Sequence, residues 1–325
     1  TVLVFPNKRA NLFFNEYLAG ESDKPIWSPA AMSISDLFQK LSVQKSGDPI
    51  RLVCELYKVF KEETRSQETL DDFYFWGELL ISDFDDVDKN MVDADKLFSN
   101  LQDLKNLMDD YEFLDKEQEE AIQQFFQNFS IEKRTELKEK FISLWDKLGT
   151  IYHRYRANLT ELGIAYEGML YRNVIEQLDT DQLKYDKYIF VGFNVLNKVE
   201  SDFFRKLKDA GKALFYWDYD IFYTQQIKKH EAGEFLKRNL EEFPNELPES
   251  FFNTFKEPKK IRSISASTEN AQARFLPGWI KAITNDHSQI TVEKEKENAV
   301  VLCNEALLLP VLHSIPQEVK NVNIT

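Results

Sequence analysis

The sequence predicts an α/β protein in which a small parallel sheet is interrupted by a large helical insertion. Three observations predict it. Residues 188–217 read as an apolar run (Tyr188 to Val191), a helix with Val199, Phe203 and Leu207 on one face, and a second apolar run (Ala213 to Trp217). That is a βαβ unit, since two short buried strands joined by one helix lie parallel. Another apolar run, Val2 to Phe5, breaks at Pro6-Asn7 before a second helical pattern. Finally, Gly and Pro number only 10 each in 325 residues, and after Pro49 only Gly77 interrupts the stretch to 145. Residues 43–145 therefore read as helix nearly throughout.

In chain order, the strand at 2–5 leads into an amphipathic helix carrying Leu12, Phe13 and Tyr17. A loop with Pro25 and Pro29 follows. Ser35 is read as the N-cap of the next helix, because Ser35-Asp36-Leu37-Phe38 has the pattern of a helix start. Val53, Leu56, Tyr57 and Phe60 share one helical face, and Phe73, Trp76, Leu80 and Phe84 another. A long helix has Leu137, Phe141, Leu144, Leu148, Tyr152 and Tyr155 on one side and stops at Gly163. Another helix runs through Tyr166 to Leu170, ahead of the βαβ unit, and one more covers 231–243. The Pro-rich stretch 245–257 is the linker candidate. Beyond it, strands are predicted at 261–266, 298–303 and 322–325, with helices at 269–284 and 306–312. The domains are then 1–42 with 146–250, the helical insertion 43–145, and an incomplete second α/β unit at 258–325.

Composition narrows the function classes. Two cysteines, Cys54 and Cys303, make no disulfide framework and suit a cytoplasmic protein. Four scattered histidines give no zinc spacing. No apolar run is long enough for a membrane span, and no signal peptide stands at the start. The net charge of −14 is that of a solubilising acidic surface, so any nucleic-acid contact must come from a local patch or a partner. Both ends break off at predicted strands, so the sequence reads as part of a longer protein.

Five segments carry the chemistry. Asn7, Lys8 and Arg9 follow a strand and open a helix, which makes either a phosphate site or a plain helix start with two surface cations. Ser33 to Phe38 is either a second polar contact or an ordinary cap. Ala165 to Leu170 reads equally well as a plain amphipathic helix. In the βαβ unit, Gly192 and Phe193 end the first strand and Asp218 and Asp220 follow the second. ATP hydrolysis needs one carboxylate for Mg²⁺ and another to orient water, and Gly192 and Phe193 supply neither. Asp83, Asp85, Asp86 and Asp88 form either a cation site or a solvated helix end, and the lack of a turn glycine favours the latter. No phosphate-cradling glycine loop and no nucleophile signature appears.

In order and spacing these segments resemble the UvrD-type superfamily 1 helicases. Val4 to Ala10 is similar to their TFTNKAA segment, and Ser33 to Phe38 to TFHSF without its His. Residues 188–223 resemble their ILVDEFQDTN and VGDPDQSIY motifs with the metal-binding Asp and catalytic Glu replaced by Gly192 and Phe193. The nearest group is the AddB-like one, an inactivated helicase region followed by a PD-(D/E)xK nuclease. The resemblance implies a RecA-like domain with its helical insertion and the start of a second RecA-like domain. It also implies DNA ends and an AddA-like helicase–nuclease subunit as partners. It implies no cofactor for this part, Mg²⁺ belonging to a nuclease domain further on. Asn7, Lys8, Arg9 and Ser35 would then touch DNA. Trp27 is read as a core residue, with base stacking as the alternative. Two other readings stay open: an active, divergent ATPase using Asp218 or Asp220 for the metal, and a protein-interaction module without DNA or ATP binding.

Overall fold

The computed structural model describes residues 1–21, 23–98, 136–226, 231–283 and 298–324. It is α/β, about 57% helical, with one four-stranded parallel sheet. Two compact units appear, Thr1–Lys256 and Glu257–Thr325.

In the first unit, β1 (Val2–Phe5) pairs in parallel with β2 (Ala31–Ser33) on one side and β5 (Tyr188–Val191) on the other. The strand β6 (Ala213–Tyr216) joins β5, giving the order β2-β1-β5-β6. Apolar alternation sets the two faces. Val2, Val4, Tyr188, Phe190 and Phe215 enter the main core. Leu3 and Phe5 point the other way, and Phe5 meets Phe14 of α1 (Lys8–Gly20) at 5.7 Å between ring centroids. The free edge of β6 is covered by the following chain: the Glu246 N–H donates to the Phe215 carbonyl at 2.9 Å, and the Trp217 indole to the Phe243 carbonyl at 2.8 Å.

The helices on the core side are α2 (Ile34–Leu41), α3 (Pro49–Thr64), α4 (Leu70–Lys89), α5 (Glu136–Glu161), α6 (Glu167–Gln177), α7 (Lys198–Asp209) and α8 (Glu231–Glu242). Val199, Phe203 and Leu207 of α7 are fully buried, as their helical spacing predicts. So are Phe73 and Phe84 of α4, and Tyr155 of α5. The side chains of Leu137, Phe141 and Leu144 fall outside the described residues, as does the predicted helical stretch 99–135. A pair of two-residue strands, β3 (Lys45–Ser46) and β4 (Ile164–Ala165), ties the start of α3 to the end of α5.

Two charged features hold this helical layer. Asp88, without solvent exposure, accepts hydrogen bonds from the phenols of Tyr152 (2.6 Å) and Tyr166 (2.5 Å), and it pairs with Arg156 and with Arg172 at 3.3 Å. The solvated helix-end reading of the Asp83–Asp88 run is thus wrong for Asp88. One helical face of the run turns into α5 and α6, and two arginines and two phenols replace water there. Burial and the Asp88 charge push the Tyr152 phenol up to about 12, so it stays a donor. Near it, Gly168 lets α6 lie against α4. A Cβ at Gly168 would stand 2.3 Å from the Asp85 carbonyl oxygen, while the Gly168 N–H donates to the Asp85 carboxylate at 2.5 Å.

In the second unit, α9 (Glu269–Ile283) and α10 (Leu308–Ser314) pack through Ala273, Leu276 and Val311. The three strands predicted here do not form among the described residues. Ile261 and Val301 are each 86% exposed, and Val322 and Ile324 are exposed too. β-branched residues make strands only where another strand and a buried face receive them, and these segments have neither.

Replacing Asp88 by Ala leaves the part-buried Arg156 without its counter-charge, Arg172 with Glu176 alone, and the Tyr152 and Tyr166 phenols without their acceptor. Urea unfolding is expected to show a loss of about 3–5 kcal/mol. A triple substitution of Asp88, Arg156 and Arg172 by Leu should recover part of that loss, the part owed to the uncompensated arginines, while the Tyr152 and Tyr166 phenols stay without their acceptor. A loss from Asp88→Ala of under about 1 kcal/mol, the worth of a surface pair, would contradict this role.

Candidate functional site

All four strands run parallel, so their C-terminal ends share one edge. The β1→β2 connection moves outward in one direction and β5→β6 in the other. The crevice of such a sheet lies between the C-terminal ends of the strands where direction reverses, here β1 and β5. The topology therefore gathers Asn7, Lys8 and Arg9 after β1, Ser33 to Asp36 after β2, Gly192 and Phe193 after β5, and Asp218 after β6.

Asn7 is the N-cap of α1: its backbone is extended (φ −145°, ψ 164°) and its side-chain oxygen accepts the Ala10 N–H at 3.0 Å. Lys8, its side chain 78% exposed, pairs with Asp36 at 3.0 Å, which joins the ends of β1 and β2. Arg9 is half-buried on the first turn of α1. A helix start with cations at a strand end is what an anionic oxygen requires, but here Asp36 already offsets the Lys8 charge.

The predicted cap at Ser35 is corrected. Ser33 caps α2, its hydroxyl accepting the Asp36 N–H at 3.1 Å while the Asp36 carboxylate accepts the Ser33 hydroxyl at 2.7 Å. This reciprocal box wins because Ser33 ends a strand, whereas Ser35 already lies inside the helix. Burial works against the Asp36 charge, but the Ser33 hydrogen bonds and Lys8 outweigh it and hold the carboxyl below its ordinary range. The Ser33-x-x-Asp36 spacing carried this signal in the sequence.

At the end of β5, Gly192 has φ +74°, a left-handed conformation that strains a residue with a Cβ. Phe193 turns inward, is 4% exposed, and meets Phe204 at 5.2 Å and Phe190 at 6.1 Å between centroids. Neither position presents a polar group to the edge. Asp218 is exposed. Asp220 is not a spare ligand: its two oxygens accept the N–H groups of Phe222 and Phe255, each at 2.8 Å. It fastens the chain after β6 to the end of the unit. Among the described residues no group of three His, Cys, Asp or Glu side chains is placed to hold a metal ion.

Trp27 is not a core residue; it is 98% exposed. Its loop is held by Ser28, whose hydroxyl donates to the Asn15 side chain at 2.7 Å, and leads into the N-terminal end of β2. It therefore stands away from the edge that carries Asn7 to Arg9. Leu12 and Tyr17, predicted to face the core, are 69% and 74% exposed. The sheet offers α1 little beyond Phe5, and Phe14 takes that contact. Among the described residues, no helix is long and apolar enough to cross a membrane. Neither a protein-family model nor a curated protein sequence matches this chain.

Gly192→Ala is expected to destabilise the first unit by about 1–2 kcal/mol, the cost of a left-handed Cβ, with Gly192→Asn milder. Equal stability of Gly192→Ala and the parent protein in denaturant titration would show that the loop relaxes away from φ +74°.

Proposed function

We propose that this chain is a non-catalytic, helicase-like scaffold that guides DNA: a RecA-like domain with a helical insertion, of the AddB-like kind. A partner subunit then supplies ATP-driven movement, and the wider protein serves double-strand break processing as part of a helicase–nuclease. The observation that carries this reading is Phe193. At the strand end where the helicases it resembles place a catalytic Glu, the chain buries a phenylalanine beside a left-handed glycine. A strand end so built supplies neither a metal ligand nor a group to polarise water.

The contact with DNA falls to Asn7, Lys8 and Arg9 at the start of α1. Ser35 lies on the neighbouring helix and contributes through its hydroxyl. Trp27, exposed on another part of the surface, suits stacking on a base further along the strand. Of the two carboxylates that the divergent-ATPase reading offers for the metal, Asp220 is committed to two backbone N–H groups, which leaves that reading the exposed Asp218 alone.

The test is single-strand binding, read by anisotropy of a labelled oligothymidylate across a salt series. Removing both cations with Lys8→Ala and Arg9→Ala should weaken binding severalfold. It should also flatten the dependence of log K on log salt by roughly 1.4, or about 0.7 for each phosphate that is no longer neutralised. Unchanged affinity and slope would sink the assignment of this edge to DNA.

A further inference from the structure

The charge of the molecule is unevenly divided. Within Glu257–Thr325, eight acidic residues are balanced by eight basic ones, so the whole net charge of −14 lies in Thr1–Lys256. The second unit also contains an open cleft of about 760 Å³ between α9 and α10. Arg274 and His313 line it, with Pro277, Leu309, Pro310 and Ile315 as its apolar wall. Among the described residues its lining holds no Asp, no Glu and no Phe, Tyr or Trp. The approach to α9 is basic as well. Lys259, Lys260 and Arg262 are exposed in the stretch that leads into it.

We propose that this cleft and its basic approach form a docking site for an acidic, apolar peptide segment of a partner protein. Charge complementarity commits the site to an anionic partner. The guanidinium of Arg274 offers the planar fork that matches a carboxylate, and clustered cations are how acidic motifs are held. The proline and aliphatic wall receives apolar side chains between the carboxylates. Nucleic acid fits less well, because single strands are held by successive bases stacking on aromatic side chains, and among the described residues the His313 imidazole is the one such ring in this lining. The site shares no residue with the strand edge proposed for DNA, and it stands or falls separately.

Random twelve-residue peptides displayed on phage and panned on the full chain test it, with an Arg274→Glu, Lys260→Glu double variant for counter-selection. Both substituted positions are exposed, and circular dichroism melting checks that the variant folds. The expected result is enrichment of peptides that combine Asp or Glu with Leu, Ile or Phe. An enriched peptide, made synthetically, should lose at least about tenfold in affinity on the double variant. Lys8→Ala with Arg9→Ala should leave that affinity unchanged. No enrichment, enrichment without acidic residues, or equal affinity for the double variant would overturn the proposal. Displacement of the peptide by oligothymidylate would overturn it in favour of a nucleic-acid site. Loss of oligothymidylate binding on Lys8→Ala with Arg9→Ala, whatever the peptide result, speaks only to the DNA edge.

Discussion

Asp88 sits without solvent exposure where α4, α5 and α6 meet, and four side chains from the two later helices and their approach converge on it. Taking a carboxylate out of water is costly, and a buried ion pair is not by itself a source of stability. What it supplies is position. Arg156 reaches on to Asn173 at 3.0 Å, Asn173 donates to Gln44 at 2.6 Å, and Gln44 donates to the Ile164 carbonyl at 3.2 Å. This polar chain runs from the helical layer to the β3–β4 pair, and α6 in turn packs beneath α2 and α7, stacking Tyr171 on Phe38 with centroids 4.1 Å apart. One carboxylate is thus linked through hydrogen bonds to the β3–β4 pair and through α6 to the helices packed against the sheet.

The aromatic cluster of Phe190, Phe193, Phe204, Phe215, Trp217 and Phe243 fills the space between β5, β6 and α7, with Phe190 and Phe204 only 4.0 Å apart. Phe193 belongs to this cluster by its neighbours and not by accident of sequence. Around it, two of the three carboxylates named at the edge serve structure, Asp36 completing a cap and pairing with Lys8 and Asp220 tying down two loops, while Asp218 is exposed. The edge also exposes a helix start with Lys8 beside Arg9, the residues on which the DNA-guiding proposal rests.

Much of this was legible in the sequence, and the residues show why. The βαβ unit was readable because Val199, Phe203 and Leu207 repeat at helical spacing between two apolar runs, and burial enforces that periodicity. The burial of Asp88 was not readable, because a run of aspartates looks solvated until the arginines from far along the chain are placed beside it. Trp27 failed for the opposite reason: size argues for burial, but its loop has nothing to pack against. The strands at 261–266 and 298–303 failed because β propensity is only a preference for a half-buried pleated surface, and no such surface receives them. At the strand edge, the side-chain types were plain in the sequence, whereas the left-handed turn at Gly192 and the double engagement of Asp220 belong to tertiary geometry.

A non-catalytic edge depends most directly on position 193 being core and not an emptied catalytic socket, and one stability measurement decides it. Guanidinium unfolding of Phe193→Glu should show a loss above about 3 kcal/mol, since an ionisable group would replace a buried ring in a packed aromatic cluster. If Glu is accepted there at a cost under about 1 kcal/mol, as at an ordinary surface position, the strand end is an open site, and the case for a non-catalytic scaffold fails.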